Sequence, residues 1–91
     1  MAKGEIGWKS VNEDGIKLQK NAKLFGGEWK IYEREKRFDT WEENPSPSLE
    51  DWKELLDGVQ RRIPRGLYPP LEETKIKRRM RELFPDEDIE D

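Results

Sequence analysis

The side chains available for chemistry in this chain are carboxylates, amines, guanidinium groups, hydroxyls and aromatic rings, because its 91 residues include no histidine and no cysteine. Ser-His-Asp and Cys-His sites, and zinc sites built on thiolate or imidazole, are therefore excluded. The adjacent acids Glu42-Glu43 and Glu72-Glu73 are typical of a strand end and a helix start. Gly26-Gly27 lacks the further glycines of a phosphate-binding loop, and no acidic spacing matches an EF-hand. We expect no enzyme activity, no cofactor and no metal site.

Basic and aromatic side chains are predicted to share one face of a sheet. If Ile16, Leu18, Leu24, Trp29 and Ile31 point inward, a period of two sends their neighbours outward. Those outward side chains are Lys17, Lys23, Phe25, Lys30, Tyr32 and Arg34. Such a face could stack bases and neutralise phosphates. Alternating lysine and glutamate is also ordinary for a solvated sheet, and a pI near 5.2 disfavours nucleic acid.

A second basic cluster falls on a predicted helix, with Lys75, Lys77, Arg78, Arg79 and Arg81. It belongs to a charge pattern in blocks, with +2 over residues 1–40, −5 over 41–60, +5 over 61–84 and −5 over 85–91. Segregated charge says more about partners than the net charge of −3 does. The basic cluster could follow a phosphate backbone. Alternatively, the acidic residues 86–91 could screen it until a partner competes.

The elements that position these side chains begin as strands. Residues 5–11, 16–24 and 28–33 alternate in polarity, and Asp14-Gly15 and Gly26-Gly27 are tight-turn signals. We expect a last strand at residues 37–42, of unfixed register, in which Phe38 and Trp41 share a face only across a bulge. Lys20 interrupts the apolar side, and Asn21 is a candidate bulge.

The period then changes to 3.6 residues. Ser48 and Asp51 form a variant capping box before an apolar stripe that ends where Pro64 stops the helix. That stripe is Leu49, Trp52, Leu55, Leu56, Val59 and Ile63. After a linker, PRGLYPP, a second helix is predicted over residues 71–84. Its narrower stripe is Leu71, Ile76, Met80, Leu83 and Phe84.

The segment IYEREKRFDTWEENP, residues 31–45, resembles the end of a WW domain, in which a strand-two aromatic and a strand-three Thr-Trp precede a proline. The resemblance implies that Tyr32 and Trp41 grip a polyproline ligand. It covers about a sixth of the chain. The family's first tryptophan is missing at its usual distance, and Trp41 stands one residue too far from Pro45. We therefore expect these rings to be core or hairpin-pair residues first.

Together these patterns predict one α+β domain over residues 1–85 and a disordered acidic tail over 86–91. The domain is expected to be a small antiparallel meander of three or four strands followed by two helices packed on one face. Four tryptophans and 43% charged residues indicate a folded chain with a thin core. Without cysteine, signal peptide or membrane span, we expect a cytoplasmic location.

The expected function is a non-catalytic protein-interaction or accessory domain that binds a protein partner or a second copy of itself. The alternative is a nucleic-acid-binding module. The candidate contact residues are Lys17, Lys23, Phe25, Lys30, Tyr32, Trp41, Lys75, Arg78 and Arg79. We identify no small-molecule substrate and expect no membrane binding.

Overall fold

A computed structural model describes residues 5–35 and 39–89. The chain divides into two compact units, Met1–Ser46 with the strands and Pro47–Asp91 with the helices. A four-stranded antiparallel sheet followed by two helices is the α+β class that the sequence predicts. The predicted packing of the helices on a sheet face, and the single domain, stay predictions. Neither helix among the described residues is long and apolar enough to cross a bilayer.

The sheet is a meander in which each strand pairs with the next along the chain. Its strands are β1 (Glu5–Val11), β2 (Lys17–Phe25), β3 (Glu28–Arg34) and β4 (Glu42–Asn44). The prediction of a last strand at residues 37–42 is wrong, because β4 begins only at Glu42 and pairs Asn44 with Ile31. The predicted bulge at Asn21 is also wrong, since β2 pairs with β3 without a break. Phe38 lies outside the described residues.

Two glycine-containing turns connect the first three strands. Gly26 and Gly27 have φ of +53° and +85°, and positive φ at both central positions is the type I′ geometry that matches the twist of a hairpin. At the other turn, Gly15 has φ of +79°, and the Asn12 side-chain oxygen accepts the backbone N–H groups of Asp14 at 2.9 Å and Ile16 at 3.0 Å. Both predicted turns are confirmed.

A row of buried apolar side chains crosses the sheet. Ile6 lies opposite Ala22, which lies opposite Ile31, and each is at most 2% exposed. Opposite residues of an antiparallel pair lie on the same side of a sheet. We call this side the apolar face. It also carries Trp8, Leu24 and Trp29, which are half-buried.

The helical unit contains α1 (Leu49–Arg62) and α2 (Pro70–Leu83). Helix α1 begins at the predicted capping box. The Ser48 hydroxyl accepts the Asp51 N–H at 3.2 Å, and the Asp51 carboxylate accepts the Ser48 N–H at 3.3 Å. Acidic residues in its first turn and basic residues in its last turn complement the helix dipole.

Helix α1 ends just before Pro64, as predicted, because proline has no N–H to continue the ladder. Gly66, with φ of +74°, donates to the Ile63 carbonyl, and Leu67 donates to the Arg62 carbonyl. These two bonds form a Schellman motif. The linker therefore begins as a capped turn, and Pro69 near its end has the extended values φ −72° and ψ 152°.

The predicted stripe of α1 is confirmed at its centre, since Trp52, Leu55 and Val59 are buried. The predicted stripe of α2 is partly wrong. Leu71 and Leu83 are 61% and 41% exposed, and the buried positions follow a spacing of four residues through Glu72, Ile76 and Met80. After α2 the described residues end at Ile89, with Glu87 donating to the Phe84 carbonyl at 3.0 Å.

Replacing Gly26 with valine should lower the free energy of unfolding by about 1–2 kcal/mol, because a β-branched residue resists positive φ. No heavy atom lies within 4 Å of a Cβ built at Gly26, so the loss measures backbone conformation alone. Gly26→Asn is the matched control, since Asn-Gly is the preferred type I′ pair. Urea unfolding of both variants checks this, and equal stability would contradict the turn geometry.

Replacing Trp52 with alanine should cost about 3–5 kcal/mol, because the ring is 94% buried. Trp52→Phe should cost less. It keeps most of the ring volume and removes an indole N–H that has no hydrogen-bond partner among the described residues. Exposed Lys53→Ala is the control. A loss below about 1 kcal/mol for Trp52→Ala would show that the ring is not part of a core.

Candidate interaction surface

The candidate residues of the sheet unit lie on the side opposite the apolar face, which we call the basic face. The register pairs Lys23 with Lys30, Asn21 with Tyr32, and Gln19 with Arg34, so these side chains alternate with the buried row. Lys17 and Phe25 occupy the two ends of β2 on the same side, and both are exposed. Alternation therefore places the predicted side chains of β2 and β3 on one surface.

Arg34 is the organising cation of the basic face. Its Nε donates to the Gln19 side-chain oxygen at 2.7 Å, and its guanidinium carbon lies 4.3 Å from the centre of the Trp41 ring. A guanidinium stacked on an indole at this distance is a cation–π contact. Trp41 comes two residues before Glu43, which pairs with Tyr32. The ring of Trp41 is therefore held on the basic face by a side chain from the neighbouring strand.

Tyr32 carries the second stack. The ammonium nitrogen of Lys23 lies 5.9 Å from the centre of the Tyr32 ring. Because Glu43 is opposite Tyr32, Trp41 is the diagonal neighbour of Tyr32 across the strands. Tyr32 and Trp41 are half-buried, while Phe25 is 49% exposed. The face therefore carries two aromatic rings, each with its own cation.

Acidic side chains balance two lysines of the basic face, Lys23 and Lys30. Lys23 lies 3.3 Å from a Glu5 carboxylate oxygen, and Lys30 lies 4.0 Å from that of Glu43. These acids come from the flanking strands β1 and β4, so the sequence around each lysine gives no sign of them. Such exposed pairs add only about 0–1 kcal/mol of stability. Their effect is to lower the positive potential between the rings.

At least three of the five basic side chains in the cluster of the helical unit are paired in the same way. Within α2, ion pairs join Lys75 to Glu72 at 3.5 Å, Lys77 to Glu73 at 3.2 Å and Arg79 to Glu82 at 3.3 Å. The spacings of three and four residues place each pair on one helix surface. Arg78 is exposed. The predicted run of positive charge is thus flanked by carboxylates that neutralise part of it.

The apolar face holds a polar network that sequence reasoning did not predict. One carboxylate oxygen of Glu33 accepts the Lys20 ammonium at 2.9 Å and the Asn44 side-chain amide at 2.9 Å. Lys20 is 6% exposed, although the sequence showed it only as an interruption of an apolar alternation. The opposite charges of Lys20 and Glu33 indicate an ion pair only once the strand register, in which these two residues lie opposite each other, is known.

A depression of about 470 Å³ lies at the end of the β1–β2 hairpin. Its lining includes the charged residues Lys9, Lys17 and Glu35 and the aliphatic residues Val11 and Leu18. Two amines and one carboxylate on a wall of aliphatic groups match no catalytic arrangement that we can name. Among the described residues, no group of three or more acids could hold a metal ion.

Comparison with known proteins gives no relative. No protein-family model, no curated protein and no solved structure matches the chain. Its class is therefore defined by the fold alone, as an α+β protein with a four-stranded antiparallel meander followed by two helices.

The Arg34–Trp41 stack should show a coupling of about 0.5–1 kcal/mol in a double-mutant cycle of Arg34→Ala and Trp41→Leu. Unfolding free energies of the two single variants and the double variant give this value. The Lys23–Tyr32 stack is the control, and its greater distance of 5.9 Å should give a smaller coupling. Equal or larger coupling at Lys23–Tyr32 would contradict the role of Arg34 as the anchor of the face.

Proposed function

We propose that this chain is a non-catalytic protein-interaction domain that uses the basic face as its contact surface. The observation that carries the proposal is that Tyr32 and Trp41 each lie within cation–π distance of a basic side chain on this face, 5.9 Å for Lys23 and 4.3 Å for Arg34. Tryptophan, tyrosine and arginine are the residues that most often dominate protein interfaces. A cytoplasmic location, expected from the sequence, is part of this proposal.

The stacks favour binding because they restrict the rings before a partner arrives. Arg34 is held by the Gln19 side chain at 2.7 Å, and Trp41 is held by Arg34. A ring that is already fixed loses less conformational freedom when a ligand covers it. The cost of ordering is therefore met during folding, and more of the contact energy becomes available as affinity.

The ligand class that fits best is an extended, proline-rich peptide. Polyproline helices bind in grooves lined by aromatic rings, and such ligands carry little entropy cost of their own. The pairing of Lys23 with Glu5 and of Lys30 with Glu43 keeps the rim polar without strong net charge. A neutral, partly apolar ligand suits that rim better than a polyanion does.

A second candidate function is binding of single-stranded nucleic acid. The observation that favours it is that Lys17 and Phe25 are both exposed on the same side of β2. A ring and an amine on one strand could stack a base and neutralise a phosphate. Lys75, Arg78 and Arg79 of α2 would add phosphate contacts in the helical unit.

The proposal is tested by selecting peptides from a random display library on the wild-type chain. We expect proline-containing peptides, with affinity reduced about tenfold or more in Tyr32→Ala and in Trp41→Ala, because each removes a central ring. Leu71→Ala, which truncates an exposed side chain of α2, is the control and should bind as the wild type does.

Single-stranded RNA and DNA oligonucleotides are titrated in parallel at several salt concentrations. The second candidate would replace the peptide proposal if the library yields no binding peptide and oligonucleotides bind instead. Their affinity should then fall steeply with salt and weaken in Lys17→Ala. Peptides that bind equally well to the Trp41→Ala variant would place the contact away from the basic face and contradict the proposal.

A further inference from the structure

Strand β1 is the long edge of the sheet. Its seven residues pair with β2 on one side, and among the described residues no strand lies on its other side. The opposite edge is β4, which has only three residues. An edge strand presents a row of unpaired N–H and C=O groups, and a strand of seven residues is long enough to template another strand.

The hairpin geometry identifies which backbone groups of β1 point away from β2. Asn12 donates its N–H to the Ile16 carbonyl at 3.0 Å, so Asn12 and Ile16 form a hydrogen-bonded pair. Such pairs alternate with non-hydrogen-bonded pairs along an antiparallel ladder. The outward-pointing backbone groups of β1 are therefore those of Glu5, Gly7, Lys9 and Val11.

These outward groups are self-complementary. In an antiparallel pair of two β1 strands related by a two-fold axis at Gly7, Gly7 lies opposite Gly7 of the second copy. Glu5 then lies opposite Lys9 of the second copy, and Lys9 opposite Glu5. All three positions have outward backbone groups, so the same register that pairs opposite charges also forms the hydrogen-bond ladder.

Neighbouring registers lose this match. A two-fold axis at Trp8 would place Lys9 opposite Gly7 and Glu5 opposite Val11, so neither charge would meet its opposite. Only the axis at Gly7 gives two symmetric Glu–Lys pairs from the described residues of β1. A register in which opposite charges face each other is stabilised, whereas like charges directly opposite are destabilising.

Gly7 is suited to the centre of this contact. It is exposed, and its φ is not positive, so other residues can adopt its backbone conformation. A Cβ added there would meet the Lys20 carbonyl oxygen at 3.5 Å, an ordinary van der Waals distance. The absence of a side chain lets two backbones approach closely, and it also allows substitution of Gly7 as a test.

We propose that a second copy of this chain is a partner of the first, joined through β1 in an antiparallel pair centred on Gly7, so that two four-stranded sheets form one continuous sheet of eight strands. The dimer contact uses the edge of the sheet and not the ring pair Tyr32 and Trp41. It is therefore a separate contact from the proposed peptide-binding site, although Glu5 takes part in both surfaces through its pair with Lys23 at 3.3 Å.

Sedimentation equilibrium of the full chain over a concentration series tests the charge pairs. Wild type should show a reversible monomer–dimer equilibrium. Glu5→Lys and Lys9→Glu should each weaken dimerisation about tenfold or more, because each places like charges opposite each other at two symmetric positions. The double variant Glu5→Lys/Lys9→Glu restores opposite charges and should recover most of the wild-type affinity.

The backbone ladder is tested at Gly7. Gly7→Pro removes an N–H that points to the open edge, a position where proline is tolerated in sheets, and should abolish dimerisation. Gly7→Ala keeps the N–H and is the matched control, which should still dimerise. Circular dichroism checks that each variant is folded, and if Gly7→Pro does not fold, the charge-reversal series decides alone.

A wild-type chain that remains monomeric at the highest soluble concentration would overturn the self-pairing and leave peptide binding by the basic face untouched. A dimer whose affinity is unchanged in Glu5→Lys and in Lys9→Glu would also overturn it, because the contact would then lie elsewhere. Failure of peptide selection in a chain that dimerises as described would overturn the proposed function alone.

Discussion

The carboxylate of Glu33 is the constraint on which the sheet depends. It accepts hydrogen bonds from Lys20 on β2 and Asn44 on β4, so one side chain of β3 joins three strands. Lys20 is 6% exposed, and a buried ammonium without a counter-charge costs several kcal/mol. A slip of one residue would move Lys20 to the other side of the sheet and break the pair. The network therefore specifies register more than it adds stability.

The arrangement of the basic face follows from that register. With Glu33 opposite Lys20, the next residue, Arg34, lies opposite Gln19 and reaches its side-chain oxygen. With Asn44 opposite Ile31, the chain before β4 returns along β3 and brings Trp41 under the guanidinium of Arg34. A partly buried ion pair on one side of the sheet thus determines which ring and which cation meet on the other side.

The features that sequence alone predicted are local ones. The type I′ turn at Gly26-Gly27 and the capping box of Ser48 with Asp51 depend on residues at most three positions apart, so composition and spacing were sufficient. Alternation also assigned the faces of β2 and β3 correctly. The position of β4 was not predictable, because it is set by the contact of Asn44 with Glu33, eleven residues earlier. The stack of Arg34 on Trp41 depends on β4 and was missed for the same reason.

The two edges of the sheet differ in a way that bears on partners. Strand β4 is short and is followed at once by Pro45, and both features discourage a further strand from adding there. Strand β1 carries a lysine, the residue that most often protects an edge by repulsion. That protection fails against a second β1, because the antiparallel register centred on Gly7 brings Glu5 opposite Lys9. An edge that repels most basic strands is thereby complementary to itself. Glu5, Gly7 and Lys9 supply the hydrogen-bonding groups, and Glu5 and Lys9 supply the charges that select the partner.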